Sequence, residues 1–282
     1  MSASSGQRTL REPIEFSGVG LHTGRKTHAI VEPAEPNSGL VFVAGGVHIP
    51  ALAEYVVDTS RATVLGNGGT TISTVEHLLS ALRGMDVDNA LITVEGGEVP
   101  VMEGSAKIFA DAIAGAGAVE SRIPRVMFRP DRAMGFRDDD KTVAIIPSLS
   151  WRIKFTVAYP APIGTQFFEG EITPELYRNE IAPARTFGYL HEVEALRARG
   201  LAQGGTLDNA LVFGPEGPLQ ELRWPDEPVR HKVLDMIGDF ALLGMYPQCE
   251  VVALKSGHKL HAAVMAELRA ADRASRVSHD RA

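Results

Sequence analysis

Cysteine is nearly absent: the 282 residues hold one, Cys249, against nine His. That excludes a disulfide framework and a thiolate zinc ribbon, so any bound metal must be held by nitrogen and oxygen. Long hydrophobic runs are lacking too. The longest, such as Ala112 to Val119 and Phe240 to Tyr246, fall well short of the roughly 18 residues a spanning helix needs. The opening Met1 to Gln7 is small and polar and offers no signal peptide. A cytoplasmic chain with no stable membrane insertion is therefore expected, and the lone cysteine suits a reducing compartment. Positive charge is in deficit, since 28 Lys and Arg against 35 Asp and Glu leave a net charge of −7. A surface that wraps nucleic acid by neutralising phosphates is disfavoured, although a local basic pocket is not. What remains, 44% hydrophobic and 22% charged residues, is enough for a core, and the length suits two domains better than one swollen one.

Short β-rich segments at 27–31, 39–43 and 62–65 are separated by Gly, Pro and Asn turns. A helix is expected from Ser73, where Ser73-Thr74-Val75-Glu76 offers a capping box and Val75, Leu78, Leu79 and Leu82 recur at helical spacing before Gly84. A strand at 89–94, a turn at Gly96-Gly97 and a helix from about Ser105 to Ile113 follow. The same order returns later: a helix at about 229–243, a strand at 250–254, a turn at Gly257 and a helix at 258–268. Leu82-Arg83-Gly84-Met85 and Leu242-Leu243-Gly244-Met245 share the spelling L-x-G-M. The repeat predicts two domains of similar topology, 1–124 and 125–270, joined by a linker near 120–130. Strands are expected at 142–146 and 153–157. An insert at about 186–213 carries a helix at 189–199, a glycine-rich 200–205 and an apolar 210–213, and the polar tail 271–282 is expected to fray.

His231 and Asp235 stand four apart, so on a helix they share a face and can converge on one ion. Taken alone, H-x-x-x-D reads first as an exposed or capping His–Asp contact. Asp239 extends the same stripe between apolar neighbours, and buried polar groups need partners or a task. Glu76-His77 opens the equivalent helix of the first copy. By itself the pair fits a helix-start acid and a packed imidazole. Read with the repeat, His77, His231 and Asp235 make three ligands with an open position, and Glu76 is free as a base for a water. His258, after Lys255-Ser256-Gly257, fits either a solvent-exposed loop position or a cationic acid oriented by Asp239. Gly18-Val19-Gly20-Leu21-His22-Thr23-Gly24 has neither the dinucleotide nor the P-loop spacing, so no nucleotide loop is assigned to it. His28, His48, His191, His261 and His279 read as ordinary surface or packing residues.

Together, the 18–24 motif, Ile72-Ser73-Thr74-Val75-Glu76-His77-Leu78, Ala184-Arg185-Thr186-Phe187-Gly188, Arg230-His231-Lys232 with Asp235 and Asp239, and Lys255-Ser256-Gly257-His258 resemble the UDP-3-O-acyl-N-acetylglucosamine deacetylases of lipid A biosynthesis, from about Thr9 to Arg269. The resemblance implies an α+β fold of two similar domains, each layering helices on a β-sheet, with a small β-α-β insert in the second. It implies a Zn²⁺-dependent amide hydrolase that removes the N-acetyl group of a UDP-sugar bearing an acyl chain. His77, His231 and Asp235 would hold the metal, Glu76 would be the general base, and His258 the general acid oriented by Asp239. Thr186 would stabilise the oxyanion and Lys232 would bind substrate. The insert would form an acyl passage lined by Tyr189, Val193, Ala202, Gly205 and Ala210, with Phe187 beside it. The diphosphate would need local cations, with Lys232, Lys255 and Arg185 as candidates in that order. Relatives carry Asp-Gly-Ser where this chain has Glu103-Gly104-Ser105. A monomer is expected. Two other readings stay open: a mononuclear non-heme iron oxygenase, which shares the two-His-one-carboxylate set, and a non-catalytic module with a structural metal.

Overall fold

The computed structural model of the chain describes residues 6–198 and 200–279. Its framework is a pair of five-stranded sheets with one connectivity used twice. In spatial order the first sheet runs Ile14–Val19, Lys26–Pro33, Ala90–Glu95, Leu40–Ala44 and Val47–Pro50. The second runs Met134–Asp138, Lys141–Pro147, Cys249–Leu254, Arg152–Ala158 and Thr165–Glu171. In both, the last strand in sequence inserts between the second and third, antiparallel to one and parallel to the other. A helix precedes that strand and another follows it: Glu76–Gly84 and Lys107–Ala116 in the first half, Glu227–Ala241 and His258–His279 in the second. The repeat suggested by element order and by L-x-G-M is thus a repeat of topology, and the expected α+β fold of two similar halves is the one the chain adopts.

Each sheet turns one face to helices. Along Arg152–Ala158 the burial alternates residue by residue, with Ile153, Phe155 and Val157 inward, and Val143 and Ile145 do the same on the neighbouring strand. That is the period-2 signature of a half-buried strand. The Glu76–Gly84 and Glu227–Ala241 helices pack against each other between the halves. Their closest approach depends on Gly238, where a Cβ would lie 2.1 Å from the carbonyl oxygen of Glu76. Any larger residue there would force the helices apart, and with them the polar residues each carries at that level.

Several boundaries differ from expectation for identifiable reasons. The first helix begins at Glu76 rather than Ser73, because Thr74 has φ 58°, which a right-handed helix cannot contain. Ser73 instead exchanges backbone hydrogen bonds with Gly97 and Val99, and the Glu76 carboxylate turns to Thr63 rather than back to Ser73. No capping box forms. Much of the expected linker is ordered as the Ala118–Pro124 strand, antiparallel to Gly6–Leu10. The last helix continues past 268 to His279, so most of the expected frayed tail is helical, while 280–282 lie outside the described residues. Arg269 and Arg273, one turn apart on it, both hold Glu54. The insert is a β-α-β unit: Phe187–Tyr189, the helix Leu190–Ala198, and Leu211–Gly214 parallel to the first strand. It has its own small core of Ile163, Tyr189, Leu211 and Phe213. Among the described residues, no helix is long and apolar enough to cross a membrane.

Candidate active site

The helix pair brings two imidazoles and a carboxylate together from opposite halves of the chain. His77, at the start of one helix, and His231 and Asp235, a turn apart on the other, offer ligand atoms that all lie within 4.8 Å of one another. Asp235 Oδ1 is 3.4 Å from His231 Nε2 and 3.8 Å from His77 Nε2, and the two rings meet edge to face. All three residues are buried.

Their protonation states follow from surroundings. His231 Nδ1 lies 3.0 Å from the carbonyl of Ala184, an acceptor only, so that nitrogen carries the proton and Nε2 presents its lone pair to the cluster. Burial pushes the His77 imidazole down to about 3, helped by the nearby His231, and burial likewise lowers His231. Burial alone would raise the Asp235 carboxyl, but Lys232 and the surrounding imidazoles hold it well below the usual range. Two neutral imidazoles and an ionised carboxylate, converging at ligand-to-ligand spacing, form a donor set that fits a divalent cation.

Acid and base groups face this cluster. Glu76 is buried, and its Oε2 accepts from the Thr63 amide at 3.1 Å. Desolvation raises its carboxyl to about 7, against the opposing pull of His258. His258 opens the final helix, with Nε2 at 3.9 Å from Glu76 Oε1 and 3.8 Å from Asp235 Oδ2. Its Nδ1 donates to Asp239 Oδ2 at 2.8 Å. Burial alone would lower this imidazole, but Asp239, Asp235 and Glu76 outweigh it and raise it to about 9. Asp239 is fully buried, yet three donors surround it: His258, His261 Nδ1 at 2.8 Å and the Thr63 hydroxyl at 2.7 Å. Lys232 Nζ donates to Asp235 Oδ2 at 2.6 Å, so the outer oxygen of the third ligand is held by a half-buried ammonium. Burial alone would lower that amine, and the Asp235 charge keeps it above its ordinary value.

The remaining expected residues are spread more widely. Phe187 lies edge to face with His231, ring centroids 6.0 Å apart, and Thr186 precedes it with its amide donating to the Gly104 carbonyl. Tyr189 is buried in the core of the insert, its hydroxyl donating to the Pro160 carbonyl at 2.7 Å. Val193 is half-buried on the insert helix, and Ala210 leads into the second insert strand. Ala202 and Gly205 belong to a loop seated on the 20–24 motif, where Gly204 N donates to the Leu21 carbonyl. The Arg185 guanidinium is engaged by fully buried Glu227, at 2.9 Å and 3.1 Å, and Lys255 pairs with Asp140 at 2.8 Å. Of the three candidate cations, Lys232 alone is at the ligand cluster. Glu103 accepts from Ser105 and lies 3.5 Å from Arg223.

Three participants escaped the sequence reading. Thr63 joins Glu76 to Asp239 by two hydrogen bonds, and nothing in its local sequence marks it. His261, expected as an ordinary surface or packing residue, is fully buried and bonded to Asp239 on one nitrogen and to Ser256 Oγ, at 2.8 Å, on the other. Its signal was available, because His258 and His261 are three apart on a helix and share a face. Ser256, third of the group, reaches the network only through that second nitrogen.

A neutral His pair with an ionised carboxylate, flanked by a buried carboxyl and a carboxylate-bound imidazolium, is the constellation of a mononuclear metal-dependent hydrolase. Residues 7–270 match the family described as UDP-3-O-acyl N-acetylglycosamine deacetylase, LpxC, and the chain belongs to that family. It is 46% identical over 262 residues to a UDP-3-O-acyl-N-acetylglucosamine deacetylase of Syntrophotalea carbinolica, covering 90% of this chain and 85% of that one. Enzymes of the same name from a Nostoc species and from Myxococcus xanthus are 43% and 44% identical, covering 90% and 92% of this chain and 95% and 85% of theirs.

Proposed function

We propose that this chain hydrolyses the acetamide of UDP-3-O-acyl-N-acetylglucosamine, giving acetate and the free 2-amino sugar, in lipid A biosynthesis. The observation that carries the proposal is the convergence of His77, His231 and Asp235 beside Glu76 on one side and His258 on the other, in a chain whose relatives bear that name. When bound, a divalent cation, proposed as zinc, would be held by His77 Nε2, His231 Nε2 and an Asp235 oxygen, and would supply Lewis acidity to the carbonyl and to water.

The chain's own groups do the rest. Glu76 takes a proton from water as the water oxygen bonds to the acetamide carbon. A carboxyl raised to about 7 is matched to that exchange near neutrality. His258, cationic and fixed by Asp239, faces the negative charge that develops on the former carbonyl oxygen, and the Thr186 hydroxyl is proposed as a second donor to it. As the C–N bond breaks, the departing nitrogen takes a proton from His258, or from Glu76 with the proton it has just acquired. Lys232 keeps Asp235 ionised and contributes positive charge to the substrate. Phe187, Tyr189, Val193, Ala202, Gly205 and Ala210 are proposed for the acyl side, with the insert as the apolar element beside the cleft. We further propose that the protein works in the cytoplasm as a monomer, which suits a cleft whose two sides come from one chain.

The test is acetate release from the UDP-linked substrate before and after exhaustive chelation. Loss on chelation and recovery with added zinc are expected. Turnover that survives complete metal removal would exclude the proposed chemistry, and oxygen consumption in place of acetate release would favour the oxygenase.

A further inference from the structure

We propose that a second ligand site, for a phosphate dianion either free or as the monoester of a small polyol, lies at the far end of the helix that carries Glu76. There a cavity of about 240 Å³ opens between the two halves, with Arg83, Asn89, Ser38 and Leu52 from the first half and Tyr246 and Arg269 from the second among its walls. The proposed catalytic groups have no part in it.

Three observations point to an anion. Arg83 has a side chain only 3% exposed, and its Nε has no hydrogen-bond partner. A buried arginine N–H left unpaired is costly, and arginines are built to grip phosphate oxygens with neighbouring N–H groups. The carboxylate nearest to Arg83 cannot neutralise it well. Asp88 is 3.4 Å from Arg83, while its other oxygen is 2.9 Å from Arg125 and accepts from the Arg8 amide. The charged lining is cationic in an acidic chain: two arginines, Arg83 and Arg269, and one carboxylate, Asp88, border the cavity. Asp88 is moreover shared with Arg125, which lies outside the lining, so the walls carry more positive than negative charge. A volume near 240 Å³ exceeds a bare phosphate, and the exposed Ser38 at the rim provides a neutral polar group that a hydroxyl of a small ester would meet.

A ligand held there would touch both halves and hold together the two helices whose opposite ends carry His77 and His231. Binding would stabilise the folded chain without contacting the reaction.

The experiment titrates inorganic phosphate and glycerol 3-phosphate separately, at ionic strength fixed with chloride, following thermal midpoint and ³¹P linewidth. It uses the whole chain, Arg83→Gln, and Ser38→Glu, the last placing a negative charge at the exposed rim while sparing the core. The wild type should show a saturable rise of roughly 3 °C at tenfold excess over the dissociation constant. Both variants should bind at least about tenfold more weakly, the order expected for losing one charged hydrogen bond or adding a repulsive charge. Deacetylation by Ser38→Glu should be unchanged. A stronger response to the ester names the monoester as ligand, and a stronger response to phosphate names the free ion. If Arg83→Gln fails to fold, Ser38→Glu carries the test alone. Equal responses in wild type and Ser38→Glu would overturn the proposal, because a general salt effect or binding in the catalytic cleft would not sense residue 38.

Discussion

Thr63 donates its hydroxyl to Asp239 at 2.7 Å, joining residues 176 positions apart in sequence, while its amide holds Glu76 at 3.1 Å. One residue thus sets the proposed base and, through Asp239, the proposed acid. Thr63→Val keeps shape and amide but leaves a fully buried carboxylate one donor short. Losing a hydrogen bond to a charged group costs about 1.5–3 kcal/mol, so kcat should fall roughly tenfold or more and the thermal midpoint should drop by several degrees. A variant as active as wild type would show that His258 and His261 suffice to hold Asp239.

The pH profile carries a sign that can be checked. Glu76 must be unprotonated and His258 protonated for turnover. With the carboxyl raised to about 7 and the imidazole to about 9, kcat/KM should rise through the first value and fall through the second. The charge of a bound cation lowers both, so each limb falls at or below these positions. His258→Gln should leave the acidic limb and remove the basic one. Persistence of the basic limb in that variant would assign it elsewhere.

Gly238→Ala tests the helix contact. Its Cβ would lie 2.1 Å from the Glu76 carbonyl, and overpacking of this kind costs about 1–3 kcal/mol. Displacing Glu76, and His77 with it, by about 1 Å should reduce kcat by roughly 10²-fold and weaken metal retention in a chain that still folds. Circular dichroism and metal analysis separate this outcome from unfolding.

Asp235 is held from both sides, by the imidazoles and by Lys232. Asp235→Ala should lose the metal and also strand the half-buried Lys232 ammonium, at a cost below the ~3–5 kcal/mol of a fully buried unpaired charge. Pairing the variant with Lys232→Met should recover much of the stability but none of the metal. Additive losses in the double variant would mean the two side chains are not coupled.

Much of this arrangement was legible in the sequence because it is local or repeated. The spacing of His231, Asp235 and Asp239 put three polar groups on one helix face, and the recurring order of helix, strand, turn and helix paired His77 with His231. The same recurrence predicted two halves of similar topology, and the family resemblance implied the fold class. What escaped was held by tertiary contacts. Thr74 takes a left-handed conformation because Ser73 is committed to Gly97 and Val99, which moves the helix start and frees Glu76 for Thr63. Arg185, a candidate cation by sequence, is neutralised by the fully buried carboxylate of Glu227. No periodicity reports such a partner 42 residues away.

The most direct measurement is made on Glu76→Gln, an isosteric change that keeps the acceptor for the Thr63 amide but cannot take a proton. Metal content and acetate release are measured on one preparation. The proposed mechanism predicts one metal per chain, as in wild type, with acetate release lowered by roughly 10²- to 10⁴-fold. Full metal with near wild-type release would contradict the role of Glu76 as base.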